Sequence, residues 1–204
     1  MQVKQTKSQF VAVASIAAEL SAVMEVAKEI SLAAANAKAI AFRAGEKAKG
    51  FQPITDFINE LAKGTIELVN NINDYAFVLY RLTVNEQRLA EACERFETVE
   101  RLAVGARYAE SLKAPLQQAR QKAQTGRREF TIHVEELLVK LAEVMHPARA
   151  ARVIAANSRI EASQAGEYLQ SLQAVAESVD NAAQIINDKV HRCRSALTVI
   201  NLAD

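Results

Sequence analysis

The sequence predicts an all-α fold: long antiparallel helical hairpins, duplicated, forming a four-helix coiled-coil bundle with a protruding two-helix extension. Three observations carry this expectation. The chain is Ala-rich, with no Trp and only six Gly and three Pro among 204 residues, a composition that favours helix and lets helices approach closely. Apolar residues recur on a sustained 3,4 spacing, the 3.5-residue repeat of helices that supercoil about partners. The chain also repeats itself at a shift of 121 residues, from Val13 onto Val134.

The first arm reads Val13, Ile16, Leu20, Val23, Ala27, Ile30, Ala34, Ala37, Ala41 and Ala44, all apolar. The segment Arg43-Ala-Gly-Glu-Lys-Ala-Lys-Gly-Phe51 then interrupts it with two glycines, and Gly45 is suited to the left-handed backbone that ends a helix. A second arm resumes at Phe51, Ile54, Ile58, Leu61, Thr65, Leu68, Ile72, Tyr75, Leu79 and Leu82. It runs on through Glu86, Leu89, Cys93, Phe96, Glu100 and Ala103. Thr65, Glu86 and Glu100 break the apolar pattern there, as Lys189 does in the fourth arm; polar seam residues of this kind set register.

Gly105, Pro115 and Gly126 are candidate breaks, and the connection is expected between about 104 and 115. The third arm reads Val134, Leu137, Leu141, Val144, Ala148, Ala151, Ala155, Ser158, Ala162 and Ala165. Pro147 inside it predicts a kink or restart near His146. The fourth arm reads Leu172, Val175, Val179, Ala182, Ile186, Lys189, Cys193, Ala196, Ile200 and Ala203.

The 121-residue shift superposes Leu20 on Leu141, Val23-Met24 on Val144-Met145, Ala34-Ala35-Asn36 on Ala155-Ala156-Asn157, and Ala44-Gly45-Glu46 on Ala165-Gly166-Glu167. Matched register and a matched turn point to a duplicated hairpin. A lone hairpin leaves one apolar seam wet, whereas two hairpins side by side bury both. The expected organisation is therefore a hairpin at 1–85, a helical extension at 86–126 and a second hairpin at 127–204.

The stretch Asn36-Ala-Lys-Ala-Ile-Ala-Phe-Arg43-Ala-Gly-Glu46, followed by Gly50-Phe51, resembles the cytoplasmic signalling tip of methyl-accepting chemotaxis receptors. The copy Asn157-Ser-Arg-Ile160-Glu161-Ala-Ser-Gln-Ala-Gly-Glu167 is similar to the same motif. The resemblance covers roughly 13–80 and 134–200. It implies a signalling protein that binds a chemotaxis histidine kinase, a coupling adaptor or receptor tips. Because the chain reads as lacking a membrane span, a signal peptide and catalytic motifs, a soluble, cytoplasmic and non-catalytic protein is expected, and association into a homodimer stays open. The resemblance places the partner-binding surface at Asn36, Arg43, Glu46 and Phe51 of the first tip and Asn157, Glu161 and Glu167 of the second. The chain departs from the pattern at Ile40, Ala48, Pro53 and Gln164, and Tyr168–Leu172 replaces the glycine-rich return. A rival reading is a structural assembly module descended from such a tip.

Other chemistries find little footing. With 25 basic and 24 acidic residues, the charge balance gives no prior for nucleic acid or an anionic membrane. No run of about 18 uncharged apolar residues occurs, so no membrane span is expected, and the N-terminus does not read as a signal peptide. Cys93 and Cys193 lack metal spacing and read as reduced core thiols. No Glu-x-x-His pair for a di-metal bundle, no phosphate-binding loop and no nucleophile turn is present, so no enzyme, metal or cofactor is expected. His133 and His146 would be the acceptors of a phosphotransfer bundle, but the acidic Glu135 and Glu136 beside His133, and Pro147 after His146, favour plain surface histidines. His191, Arg192 and Arg194 form a small solvated basic cluster.

Overall fold

A computed structural model describes the backbone of residues 2–201 and the side chains of residues 10–199. Four α-helices account for most of the chain: α1 (Gln2–Ala44), α2 (Phe51–Leu102), α3 (Lys113–Ala162) and α4 (Leu169–Asn201). Short 3₁₀ turns at Gly45–Ala48, Ala109–Leu112 and Gly166–Tyr168 join them, and no strand occurs among the described residues. Helix α1 packs on α2 and α4, and α3 packs on the same two helices. The fold is all-α.

The breaks follow from backbone chemistry. Each interhelical connection contains one glycine with positive φ: Gly45 at 57°, Gly105 at 83° and Gly166 at 58°. A side chain disfavours this left-handed conformation, so glycine is the residue that turns the chain there. Gly126, an expected candidate break, instead lies inside α3. Pro147 does not restart the helix either, and α3 runs through it from Lys113 to Ala162. The proline removes one helical N–H donor, yet Ala148 and Ala151 beside it are buried in the core. Pro53 occupies the third residue of α2, where the N–H has no intrahelical acceptor to lose.

In α1 and α3 the core lies where the 3,4 spacing puts it. Val13 through Ala41 are buried and Ala44 is half-buried, and every named position of the third arm from Val134 to Ala165 is buried. In α2 half of the expected seam is displaced by one residue. Phe51, Ile58, Thr65, Ile72 and Leu79 are buried, but the positions between them belong to Thr55, Ala62, Val69, Ala76 and Thr83. Ile54, Leu61, Leu68, Tyr75 and Leu82 are only half-buried against that core. In α4, Ala176, Ala183, Val190 and Leu197 likewise join Leu172, Val179, Ile186 and Cys193. Lys189, expected on the seam, sits at its edge, with Val190 in the core. Ile200 and Ala203 of the expected fourth arm lie outside the residues whose side chains are described.

Each of these helices meets two neighbours, so it buries a stripe wider than a two-stranded seam. Mostly small side chains fill the middle of that stripe in α2. The threonines there are satisfied locally: Thr65 Oγ1 donates to the Leu61 carbonyl at 2.8 Å and Thr83 Oγ1 to Leu79 at 2.9 Å. Ser158 in α3 donates to Ile154 at 2.7 Å. A buried hydroxyl bonded to its own helix carries little desolvation penalty.

Contacts between helices fix which parts meet. Ser31 hydrogen-bonds Asn59, Lys38 pairs with Asp56 at 2.6 Å, and Phe10 meets Tyr80 edge-on at 5.9 Å between ring centres. Between α2 and α3, Glu97 pairs with Arg120, Glu86 with Arg127, and Lys140 lies 4.5 Å from the Tyr75 ring centre. Asp180 of α4 accepts from Arg159 and Arg152 of α3. Glu19 of α1 pairs with Lys189 of α4 at 2.7 Å. Core residues of α2 stop at Thr83 and those of α3 resume at Phe130, with only Leu116 and Ala119 buried in between.

Candidate functional site

The two Ala-Gly-Glu turns lie side by side. Lys47 of the first turn places Nζ 3.9 Å from Glu167 Oε1 of the second. A Cβ at Gly50 would run into the Glu161 carboxylate of α3, so that side chain reaches across to the backbone of the first turn. Gly50 has ordinary helical φ of −68°; its lack of a side chain makes room for Glu161. Ala165 and Ala48 are buried beneath the turns, at 0% and 4% exposure.

The seven expected partner-binding residues divide into two groups. Asn36, Arg43, Glu46, Asn157 and Glu167 are exposed, and Glu46 accepts a hydrogen bond from Lys49 at 3.3 Å. Glu161 is half-buried and Phe51 is 0% exposed. Phe51 is thus a core residue of the turn, out of reach of a partner that leaves the fold intact. The heptad spacing had already put it on the seam; the resemblance drew it toward the surface. Phe42, at 80% exposure, is an aromatic side chain beside this turn that solvent reaches, and Phe57 on α2 is exposed as well. The signal of Phe42 in the sequence was its position, one residue past the seam alanine Ala41.

The remaining sequence candidates are dispersed. His133 Nδ1–H donates to the Glu129 carbonyl at 2.8 Å. His146 is exposed on α3 and His191 on α4. Cys193 is buried with Sγ 3.9 Å from the Ile16 carbonyl. Burial, helped by the nearby Glu19 charge, pushes its thiol up to about 12, which makes it unreactive at neutral pH. Cys93 is half-buried on α2, not in the core as expected.

Glu19 is held below the usual carboxylate range, chiefly by the hydrogen bond from Lys189 and further by the Lys189 and Arg192 charges. Asp180 is lowered mainly by its hydrogen bond from Arg159. Both clusters tie α4 to a neighbour away from the turns. Among the described residues, no group of three or more His, Cys, Asp or Glu side chains is placed to hold a metal. Two open grooves of about 440 and 670 Å³ lie along 82–129, bordered by Arg88, Phe96 and Leu112 in one case and Leu89, Lys122 and Gly126 in the other. The stretch Phe10–Ala48, most of α1 with the turn that follows it, is long and apolar enough, by length and composition, to cross a membrane. The apolar stripe of that helix from Val13 to Ala41 is buried against its neighbours.

No family model, curated protein or solved structure matches this chain.

Proposed function

We propose that the chain is a chemoreceptor-like signalling module, soluble and cytoplasmic, that binds chemosensory protein partners through its paired turns. The observation that carries this reading is the doubled tip. Two Ala-Gly-Glu turns, each ending a helix with a left-handed glycine, lie side by side, with Lys47 beside Glu167 and Glu161 against Gly50. The chain then presents as one molecule what two receptor hairpins would present as a dimer.

The architecture we propose for it is a pair of antiparallel hairpins in a four-helix coiled-coil bundle, with 86–126 extending as two helices beyond it. Descending partner numbers support the antiparallel sense: Phe10, Ser31 and Lys38 meet Tyr80, Asn59 and Asp56. The thin burial between Thr83 and Phe130 supports the extension.

Recognition would rest on Arg43 and Phe42, with Asn36, Glu46 and Asn157 around them. The chain should retain a purified chemotaxis histidine kinase or coupling adaptor in a pull-down, and Arg43→Glu or Phe42→Ala should abolish the retention. Both side chains are exposed, so the variants should fold normally. Absence of binding at high micromolar concentration overturns the reading.

The rival, an assembly module derived from a receptor tip, draws on one observation. Glu161 and Glu167, two of the tip's acidic groups, are engaged inside the chain. Under that reading Arg43→Glu leaves the native complexes recovered from cells unchanged.

A further inference from the structure

Helix α3 carries a second apolar stripe on the side turned away from the core. Ile132, Val139, Val153 and Ile160 are 52%, 62%, 63% and 63% exposed, and they fall on one seven-residue spacing with exposed His146 at its centre. Single exposed apolar residues are ordinary, but a row at every seventh residue, with Ala142, Ala150 and Ala156 among the positions between, supplies one of the two apolar lines of a coiled-coil seam on a helix already packed on its opposite side.

The row is palindromic. Ile132 and Ile160 stand 14 residues either side of His146, Val139 and Val153 seven, Ala142 and Ala150 four, and Glu143 and Arg149 three. If two copies of α3 lie antiparallel with a two-fold axis through His146, each isoleucine meets an isoleucine and each valine a valine. The small alanines let the backbones approach near the axis. Glu143 of each copy meets Arg149 of the other, so the charges complement one another twice. Among the described residues, neither Glu143 nor Arg149 has an ion-pair partner within the chain. An isologous interface demands this kind of self-complementarity.

The matching face of α1 excludes itself. At the 121-residue shift it reads Val11, Ala18, Glu25, Leu32 and Ala39, with Val11 and Leu32 exposed. Glu25 would sit on the axis facing its own copy, and like charges there repel. It is already paired within the helix with Lys28 at 2.8 Å.

We propose that the protein forms a two-fold homodimer through the outer face of α3, its axis at His146. From Ile132 to Ile160 the seam is about 42 Å long at ~1.5 Å per residue. One helix pair of that length buries about 1,000 Å², the low end of specific interfaces, where weak, transient association is common. The proposal is independent of what the turns bind.

Sedimentation equilibrium of the full chain tests it. The expected result is a monomer–dimer equilibrium that Val153→Glu abolishes and Leu32→Glu on α1 leaves unchanged. Glu143→Arg or Arg149→Glu alone should weaken the dimer roughly tenfold, since each reversal opposes two symmetric pairs. The double reversal Glu143→Arg/Arg149→Glu should restore it to within about threefold. In a Cys93→Ser background, His146→Cys should give a disulfide-linked dimer under mild oxidation, because a residue on the axis faces itself. A monomer at all concentrations, or a dimer indifferent to both the single reversals and Val153→Glu, overturns the proposal.

Discussion

One substitution, Gly→Ala, should change the stability of this chain in opposite directions at two pairs of sites. Gly64 and Gly126 lie inside α2 and α3, and a Cβ added at either would meet no atom within 4 Å. Alanine in a helix interior is favoured over glycine by about 0.8–1 kcal/mol, with no clash here to offset it. Gly45 and Gly166 have φ of 57° and 58°. Alanine in that conformation costs about 1–2 kcal/mol, and the lower entropy of the unfolded chain returns about 0.4–1 kcal/mol. The net loss is therefore about 1 kcal/mol at each turn. For a chain of this size 1 kcal/mol moves the melting temperature by about 2–4 °C. Thermal melts followed by circular dichroism at 222 nm should rise by that amount for Gly64→Ala and Gly126→Ala and fall by it for Gly45→Ala and Gly166→Ala. The two turn variants are best measured singly, because adjacent turns couple. A destabilised Gly126→Ala would mean that α3 breaks there, as the sequence alone allowed. A stabilised Gly45→Ala would mean that the first turn does not use left-handed backbone.

Phe51→Ala should cost about 3–5 kcal/mol, because the ring is fully buried and its removal leaves a cavity. Phe42→Ala, mostly exposed, should change stability by no more than about 0.5 kcal/mol. Urea midpoints separate the two, and a near-neutral Phe51→Ala would return that side chain to the surface. Acid should weaken the fold through Glu19 and Asp180. Both have folded values depressed by their cationic partners. Their contribution is therefore complete above the unfolded carboxylate range and is lost as pH falls below about 4. Melting temperature should drop with pH in that window, and Glu19→Gln should flatten the slope; an unchanged slope removes Glu19 from this role.

How much of this was legible depends on which residues are considered. The lines of α1 and α3 could be read directly, because only one apolar phase fits Val13 to Ala41 or Val134 to Ala165. In α2 two phases fit: Ile54 or Thr55, Leu61 or Ala62, Leu68 or Val69. Hydropathy chooses the larger residue, yet the middle of a stripe wedged between two helices favours the smaller one, and the larger packs beside it. Nothing in the spacing says that the Thr55 hydroxyl will be satisfied by the Gln52 carbonyl at 2.7 Å and so can go inside. Lys189 failed for a related reason. Its long stem can lie along the edge while its ammonium reaches Glu19, so the core position passes to Val190. The turns were legible because left-handed backbone leaves a residue-type signature. The contact of Glu161 with Gly50 was not, since it joins residues over a hundred positions apart.

That distant contact bears on how the tip could engage a partner. Lys47–Glu167 is long at 3.9 Å, and its side chains are 64% and 73% exposed. Pairs of that kind contribute about 0–1 kcal/mol, so an incoming charged group can displace either member at little cost. Glu161 is different. It is half-buried and lies against the backbone of the opposite turn, so withdrawing it would open the space that Gly50 leaves. A methyl group at Gly50 would push that flexible carboxylate outward without straining the helical backbone there. Gly50→Ala therefore perturbs the join between the turns while leaving each turn intact. If partners read the two turns as a unit, this substitution weakens binding without a large change in melting temperature. If they read the first turn alone, through Arg43 and Phe42, binding is unchanged.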